Sequence, residues 1–310
     1  MRLVSPGSFA ARLALALSLL LVPAATALAD GTLLERVESK YNTILIYQRG
    51  PYVSLTFGYN DRLYTESTAN TEDPLELPVA YTRYMTAALL YLAEPKDILE
   101  IGFGGGSTAS YLHRYLPEAT ITSVELDEKV VELAEKYFGV KAEPGLDIVN
   151  RDGRLFMMTD GRLFDAILVD AYRGPFVPFH LMTVEFYELA KLHLKPGGVL
   201  VQNVEPSTML FPASVATLTK VFQNVEFYVA GGNVVSVAYD GPQRTEVELR
   251  VQGEATQAKY GFRYALPDLL TARRFLGEKP EAEPLTDDFA PVESLRAIEH
   301  HNEKWVEQKP

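Results

Sequence analysis

The run Ile98-Leu99-Glu100-Ile101 is apolar enough for a buried strand, and it breaks directly into Gly102-Phe103-Gly104-Gly105-Gly106-Ser107 before helical spacing resumes. Glycines at such a break let the backbone turn tightly and approach a ligand. The helix that follows then offers unpaired N–H groups and a positive dipole at its N-terminus. A strand, a glycine turn and a helix in that order call for a next strand running parallel to the first. The chain supplies it, because from Asp97 to about Asp240 strand-like and helical runs alternate, the pattern of a parallel α/β sheet covered by helices. Strands are predicted over 98–103, 121–126, 147–150, 166–170 and 199–204, with helices over about 108–116, 128–138 and 184–194. Asp127 is placed to cap the second helix and Lys195-Pro196-Gly197-Gly198 to stop the third. A helix near 213–222 then leads to two runs, 225–229 and 234–239, that flank the hairpin signal Gly231-Gly232-Asn233. That ending departs from an NAD-type fold of two matching halves.

Around this block the pattern changes. Residues 1–29 read as a secretory leader: Arg2 and Arg12 give a basic start, 13–22 are apolar, and Ala27-Leu28-Ala29 fits the small-residue cleavage rule. An apolar run that short falls below the roughly 20 helical residues a bilayer core needs, so cleavage and export to a periplasmic or secreted location are expected, with no stable membrane insertion afterwards. Within 30–78, short β-rich runs at 43–47, 52–57 and 62–65 are separated by turn signals, predicting a small β-hairpin domain, and 67–76 reads as a linker. Apolar residues at helical spacing over 81–92, ended by Pro95, open the nucleotide-binding domain, assigned to 79–240. Residues 241–310 form a polar, Pro-bearing extension with one helix expected near 267–275.

Charge and composition narrow the chemistry. The chain carries a formal charge of −12, which becomes −14 once the leader takes its two Arg away, so a nucleic-acid partner is disfavoured and a small cation suits the field. With no Cys there are no disulfides, catalytic thiols or thiolate metal sites. The five His make no metal set: His113 and His193 fall in predicted helices, His300 and His301 in the tail, and only His180 lies near a candidate site residue.

Three acids close predicted strands on the edge where open α/β sheets bind ligands. Glu125 stands 25 positions after Glu100, near the offset at which a strand-end carboxylate takes the ribose hydroxyls of a nucleoside; the plain alternative is an acid facing water. Asp152, before Gly153, either accepts from an adenine amino group, caps the next helix, or does both. Asp170 ends the buried run Ala166-Ile167-Leu168-Val169 and is the strongest candidate for ligand contact. NAD is the competing nucleotide, but its glycine pattern wants Gly or Ala where this chain has Ser107.

Over 37–239 the chain resembles the spermidine synthase (polyamine aminopropyltransferase) family. The resemblance rests on Glu38-Ser39-Lys40-Tyr41-Asn42, Tyr81, the glycine turn, Val124-Glu125-Leu126-Asp127, Asp152-Gly153, Val169-Asp170 and Leu194-Lys195-Pro196-Gly197-Gly198. It implies a Rossmann-like fold of the S-adenosylmethionine-dependent methyltransferase type with a small N-terminal β domain, and a homodimer. It also implies transfer of an aminopropyl group from decarboxylated S-adenosylmethionine to a diamine such as putrescine, with no metal. Carried over, Gly102, Gly104, Gly106 and Asn42 hold the donor, Glu125 its ribose and Asp152 its adenine, while Asp170 holds the attacking amine beside Tyr81. The tail Pro284-Leu285-Thr286-Asp287-Asp288-Phe289-Ala290-Pro291-Val292-Glu293 is similar to endings in membrane-fused spermidine synthase-like proteins. This sequence departs from the family at Gly105, where an Asp is expected, and at Arg173, where a second acid is expected. The family's later active-site tyrosine has no clear match, Tyr228 being the nearest. Arg173 suits the carboxylate of intact S-adenosylmethionine, which keeps a methyltransferase as the alternative, and an exported, non-catalytic binder of polyamines or nucleosides is the third reading.

Overall fold

Two sheets organise the chain, seen in a computed structural model that describes residues 31–59, 62–174, 176–204, 206, 208, 210–275 and 280–289. The expected leader over 1–29, residues 60–61 of a predicted turn and the segment beyond 289 lie outside the described residues.

The smaller sheet is an antiparallel meander of β1 (Thr32–Glu38), β2 (Thr43–Arg49), β3 (Tyr52–Tyr59) and β4 (Arg62–Asn70), in that order. Val53, Leu55 and Phe57 alternate along β3 and bury one face, with Ile44 and Ile46 of β2 beside them. Two expectations change here. β1 was not predicted, since its Leu33 and Leu34 stay exposed and the strand is held by its ladder with β2. The supposed linker begins as strand: Ser67 to Asn70 continue β4, pairing with Tyr52 to Leu55, and the Ser54 and Thr68 hydroxyls meet at 2.9 Å. The register slips between Leu55 and Thr56, whose partners are Ser67 and Thr65, so Glu66 is the extra residue of a β-bulge.

The larger sheet takes its parallel strands in the order β7 (Leu146–Asn150), β6 (Thr120–Glu125), β5 (Asp97–Ile101), β8 (Phe164–Val169), β9 (Leu194–Val204). Antiparallel β11 (Asn233–Tyr239), β10 (Asn224–Ala230) and β12 (Arg273–Phe275) complete it. The Rossmann-like, methyltransferase-type arrangement is therefore present, with the expected terminal hairpin. Side-chain alternation along β5 feeds two cores. Ile98 packs with the smaller sheet, α2 (Ser107–Tyr115) and α3 (Glu128–Leu133); Leu99 and Ile101 face α4 (Gly153–Thr159), α5 (Val184–Leu192) and α6 (Phe211–Val221). Asp127 caps α3 as expected, accepting from Lys129 N at 3.1 Å.

The predicted helix 81–92 is α1 (Ala80–Met85) followed by a 3₁₀ turn, Thr86–Leu90, every residue of which is buried. Lys195 to Gly198 do not stop a helix but lie inside β9, α5 having ended at Leu192. Beyond residue 240 the structure holds an element that the sequence does not predict. A 15-residue helix, α7 (Glu246–Tyr260), starts at a capping box of Thr245 and Glu248. The helix expected near 267–275 is a 3₁₀ segment, Leu266–Ala272, that passes into β12.

Candidate active site

At the point where strand order reverses, the carboxyl ends of β5 and β8 lie side by side, which is where open α/β sheets form ligand crevices. Gly102 N donates to Val124 O at 2.9 Å and Asp170 N to Ile101 O at 2.8 Å, so the glycine turn and the loop after β8 are pinned together. A Cβ on Gly102 would stand 2.3 Å from the Asp170 carbonyl oxygen, and its φ of +97° lies in the region L side chains avoid. No other residue fits there.

A cavity of about 460 Å³ opens over this junction. It collects most of the residues singled out from sequence: Asn42 and Tyr81, Gly102 and Gly104, Glu125, Asp152 and Asp170. Gly106 is set apart. It is the left-handed N-cap of α2 and packs against Phe103 and Val140, away from the cavity lining.

Glu125 is fixed by the turn it faces. One carboxylate oxygen accepts from Phe103 N at 3.1 Å and Gly104 N at 3.3 Å, the other from Asp127 N at 3.0 Å. Burial raises its pKa, and these backbone N–H groups oppose the rise. A carboxylate offers about four lone-pair directions, so a ligand hydroxyl still finds an acceptor. Asp152 caps α4 through Leu155 N at 2.9 Å and binds His180 Nε2, also at 2.9 Å. The His180 contact, first among its causes, holds Asp152 below its usual range. Asn42 closes a turn with Ser39, whose hydroxyl donates to Asp127 at 2.5 Å and ties the smaller sheet to the larger.

Asp170 is gripped from two sides. Asn203 Nδ2 of β9 donates to it at 2.9 Å, and Tyr81 donates from the start of α1. Asn203 Oδ1 accepts in turn from Asn233 Nδ2 at 3.0 Å, so the β10–β11 turn steadies the acid. Burial pushes the Asp170 carboxyl up to about 6, with Asn203 and Tyr81 resisting. Burial also lifts Glu100 to about 8, under the glycine turn, where Ser123 donates to it.

Four of these groups escaped the sequence reading. Glu66 enters through the β4 bulge, which no local pattern announces. Asn203 had a signal, a polar Gln202-Asn203 pair ending an apolar strand. His180 stands 28 residues from the Asp152 it binds, so no local motif marks it, and among the described residues no cluster of acids and histidines is arranged to hold a metal. Glu100 sits inside the apolar run Ile98-Leu99-Glu100-Ile101 and carries no motif of its own. Arg173 lines the cavity but is exposed, and the groups that hold Asp170 are Asn203 and Tyr81. Tyr228 is wholly buried, its hydroxyl 2.9 Å from that of Tyr91, and it is absent from the cavity lining.

A glycine turn beneath strand-end acids, in a Rossmann-like sheet that ends in an antiparallel hairpin, places this fold in the methyltransferase-type class of α/β proteins. The model of the spermine/spermidine synthase domain matches residues 79–237. A polyamine aminopropyltransferase of Vibrio vulnificus is 30% identical over 281 residues, covering 86% of this chain and 92% of its own. A probable spermidine synthase from Corynebacterium glutamicum superposes with a TM-score of 0.64 at 19% identity, covering 83% of this chain and 97% of that one. A spermidine synthase in complex with the transition-state analogue AdoDATO gives 0.61 at 19%, over 79% and 84% of the two chains. This chain belongs to the spermine/spermidine synthase family, and its curated relatives are transferases.

Proposed function

We propose that this protein transfers the aminopropyl group of decarboxylated S-adenosylmethionine to a diamine such as putrescine. The observation that carries the reading is Asp170, a half-buried acid held by Tyr81 and Asn203 at the reversal point, next to a glycine turn and Glu125. An aliphatic amine is protonated and non-nucleophilic at neutral pH. On this reading Asp170 orients the amine and takes its proton; the nitrogen lone pair then attacks the carbon beside the sulfonium. The new C–N bond forms as the C–S bond breaks, its electron pair goes to sulfur, and neutral methylthioadenosine leaves. Glu125 takes the ribose hydroxyls and Asp152 the adenine amino group. Residues 1–29 add the proposal that the enzyme is exported, and the family resemblance adds a homodimer.

Methyl transfer from intact S-adenosylmethionine is the second reading, favoured by one observation, the presence of a basic residue, Arg173, on the cavity lining. Titration calorimetry of the mature protein with both donors, methylthioadenosine and putrescine, followed by product analysis, separates the two. Tighter binding of the decarboxylated donor with spermidine formation is the expected result. Preference for the carboxylated donor with methylated product would replace it, and binding without turnover would leave a sensor. Asp170→Asn is expected to lower turnover by about 10²-fold or more while methylthioadenosine still binds. Full activity in that variant removes the role given to Asp170.

A further inference from the structure

Between the glycine turn and β4 lies a second cavity of about 30 Å³, room for one group the size of a water molecule or an ammonium. It shares Glu66, Tyr81, Gly102, Gly104 and Asp170 with the larger cavity. Two polar atoms of its lining residues are shut off from solvent and have no hydrogen-bond partner, Glu66 Oε1 and Ser107 Oγ. The Glu66 carboxylate is anchored by the Gly174 N–H. A buried carboxylate oxygen with nothing to accept from is costly unless a ligand supplies the donor.

The charges around the recess decide what that donor is. Glu66 is raised well above its usual range by burial and then by the charges of Asp170 and Glu125, and Asp170 also acts on Glu100 and on Tyr81. No Lys or Arg is paired to Glu66, Asp170, Glu125 or Glu100 among the described residues. Water would fill the space but bring no charge to offset the burial and the neighbouring acids that press Glu66 toward its neutral form. A primary ammonium brings three donors and one positive charge. The glycine turn supplies no acid of its own here: a Cβ on Gly105 would meet the Phe138 ring at 2.6 Å and Ser67 Oγ at 2.7 Å. The charge comes instead from across the recess, on the residue that the bulge of β4 inserts next to Ser67.

We propose that this recess is a primary-ammonium subsite and that Glu66 is its specificity-determining residue. The identity of the substrates rests on the function proposed above, which offers two sources of that group: the end of the donor's aminopropyl chain, and the diamine. A donor that keeps its carboxylate brings a negative charge against Glu66 and is disfavoured.

The test uses Glu66→Gln in the full mature chain, with calorimetric binding of decarboxylated S-adenosylmethionine and methylthioadenosine and steady-state KM for putrescine. Methylthioadenosine carries the same nucleoside without the amine, so its unchanged affinity reports an intact fold. A loss of about tenfold or more for the decarboxylated donor alone assigns the recess to the donor chain. A comparable rise in putrescine KM alone assigns it to the diamine. Glu66→Asp, which keeps the charge, is expected to recover part of either loss. Equal behaviour of wild type and Glu66→Gln toward all three compounds overturns the subsite. Should Glu66→Gln fail to fold, Glu66→Asp takes its place: an unchanged donor affinity and an unchanged putrescine KM in that variant overturn the subsite as well. Wild-type turnover with an indifferent Gln variant removes the subsite and leaves the transferase. Selective amine binding without transfer to any diamine does the reverse.

Discussion

Asp170 serves catalysis and folding with opposite demands on one carboxyl group. Proton acceptance needs it ionised, whereas burial favours the neutral form, lifting its pKa to about 6. Since the folded pKa lies above the unfolded one, ionisation costs stability: the penalty is absent below about pH 4, grows as pH rises toward 6, and is constant beyond. Asp170→Asn is therefore expected to be more stable than wild type by on the order of 2 kcal/mol at pH 8, the gain vanishing near pH 4. Urea titrations at the two pH values check this, and equal stability at pH 8 would show that burial does not govern the group. Asp170, Glu125 and Asp152 were visible in the sequence because each follows a recognisable strand. Glu66 was not, because a bulge is a mismatch between two strands and neither strand records it alone. His180 was hidden for a related reason: its partner Asp152 is 28 residues away and meets it only in the folded chain.

Among the elements, the turn after β5 has the least freedom. Gly102→Ala is expected to destabilise the protein by about 3 kcal/mol, through positive-φ strain and a collision with the Asp170 backbone, and to lower turnover about 10²-fold by displacing that residue. Gly104→Ala, with Ser67 no closer than 3.6 Å, is expected to cost only about 1 kcal/mol. Equal costs at the two positions, measured by denaturant unfolding, would contradict the steric account. The parallel strands were legible because a strand buried on both faces reads as an unbroken apolar run. β1 carried no such mark, being exposed along most of its length. α7 did carry one, Thr245-Glu246-Val247-Glu248, but its mostly polar body lacks the apolar stripe that makes a helix stand out.

Across the whole molecule, the segment beyond residue 240 returns to the larger sheet. Arg273 of β12 donates to Glu226 of β10 at 2.6 and 2.8 Å, and Tyr91 and Tyr239 donate to the same carboxylate at 2.5 and 2.7 Å, all buried. Arg273→Ala leaves Glu226 without its counter-ion, so a loss of about 3 kcal/mol or more in unfolding free energy is expected, with methylthioadenosine affinity unchanged in the folded variant. A loss below about 1 kcal/mol would show that the two tyrosines suffice. The sequence revealed the parallel strands and the terminal hairpin but not this closure, because the pair joins positions 47 apart across a sheet edge. The larger cavity has a comparable reach: Asn42 and Glu66 come from the meander, Gly102, Glu125 and Asp170 from the parallel sheet. Neither sheet encloses the space by itself. A molecule lodged there acts as mortar between them, so whatever loosens the seam weakens its grip, and by reciprocity its arrival tightens the seam.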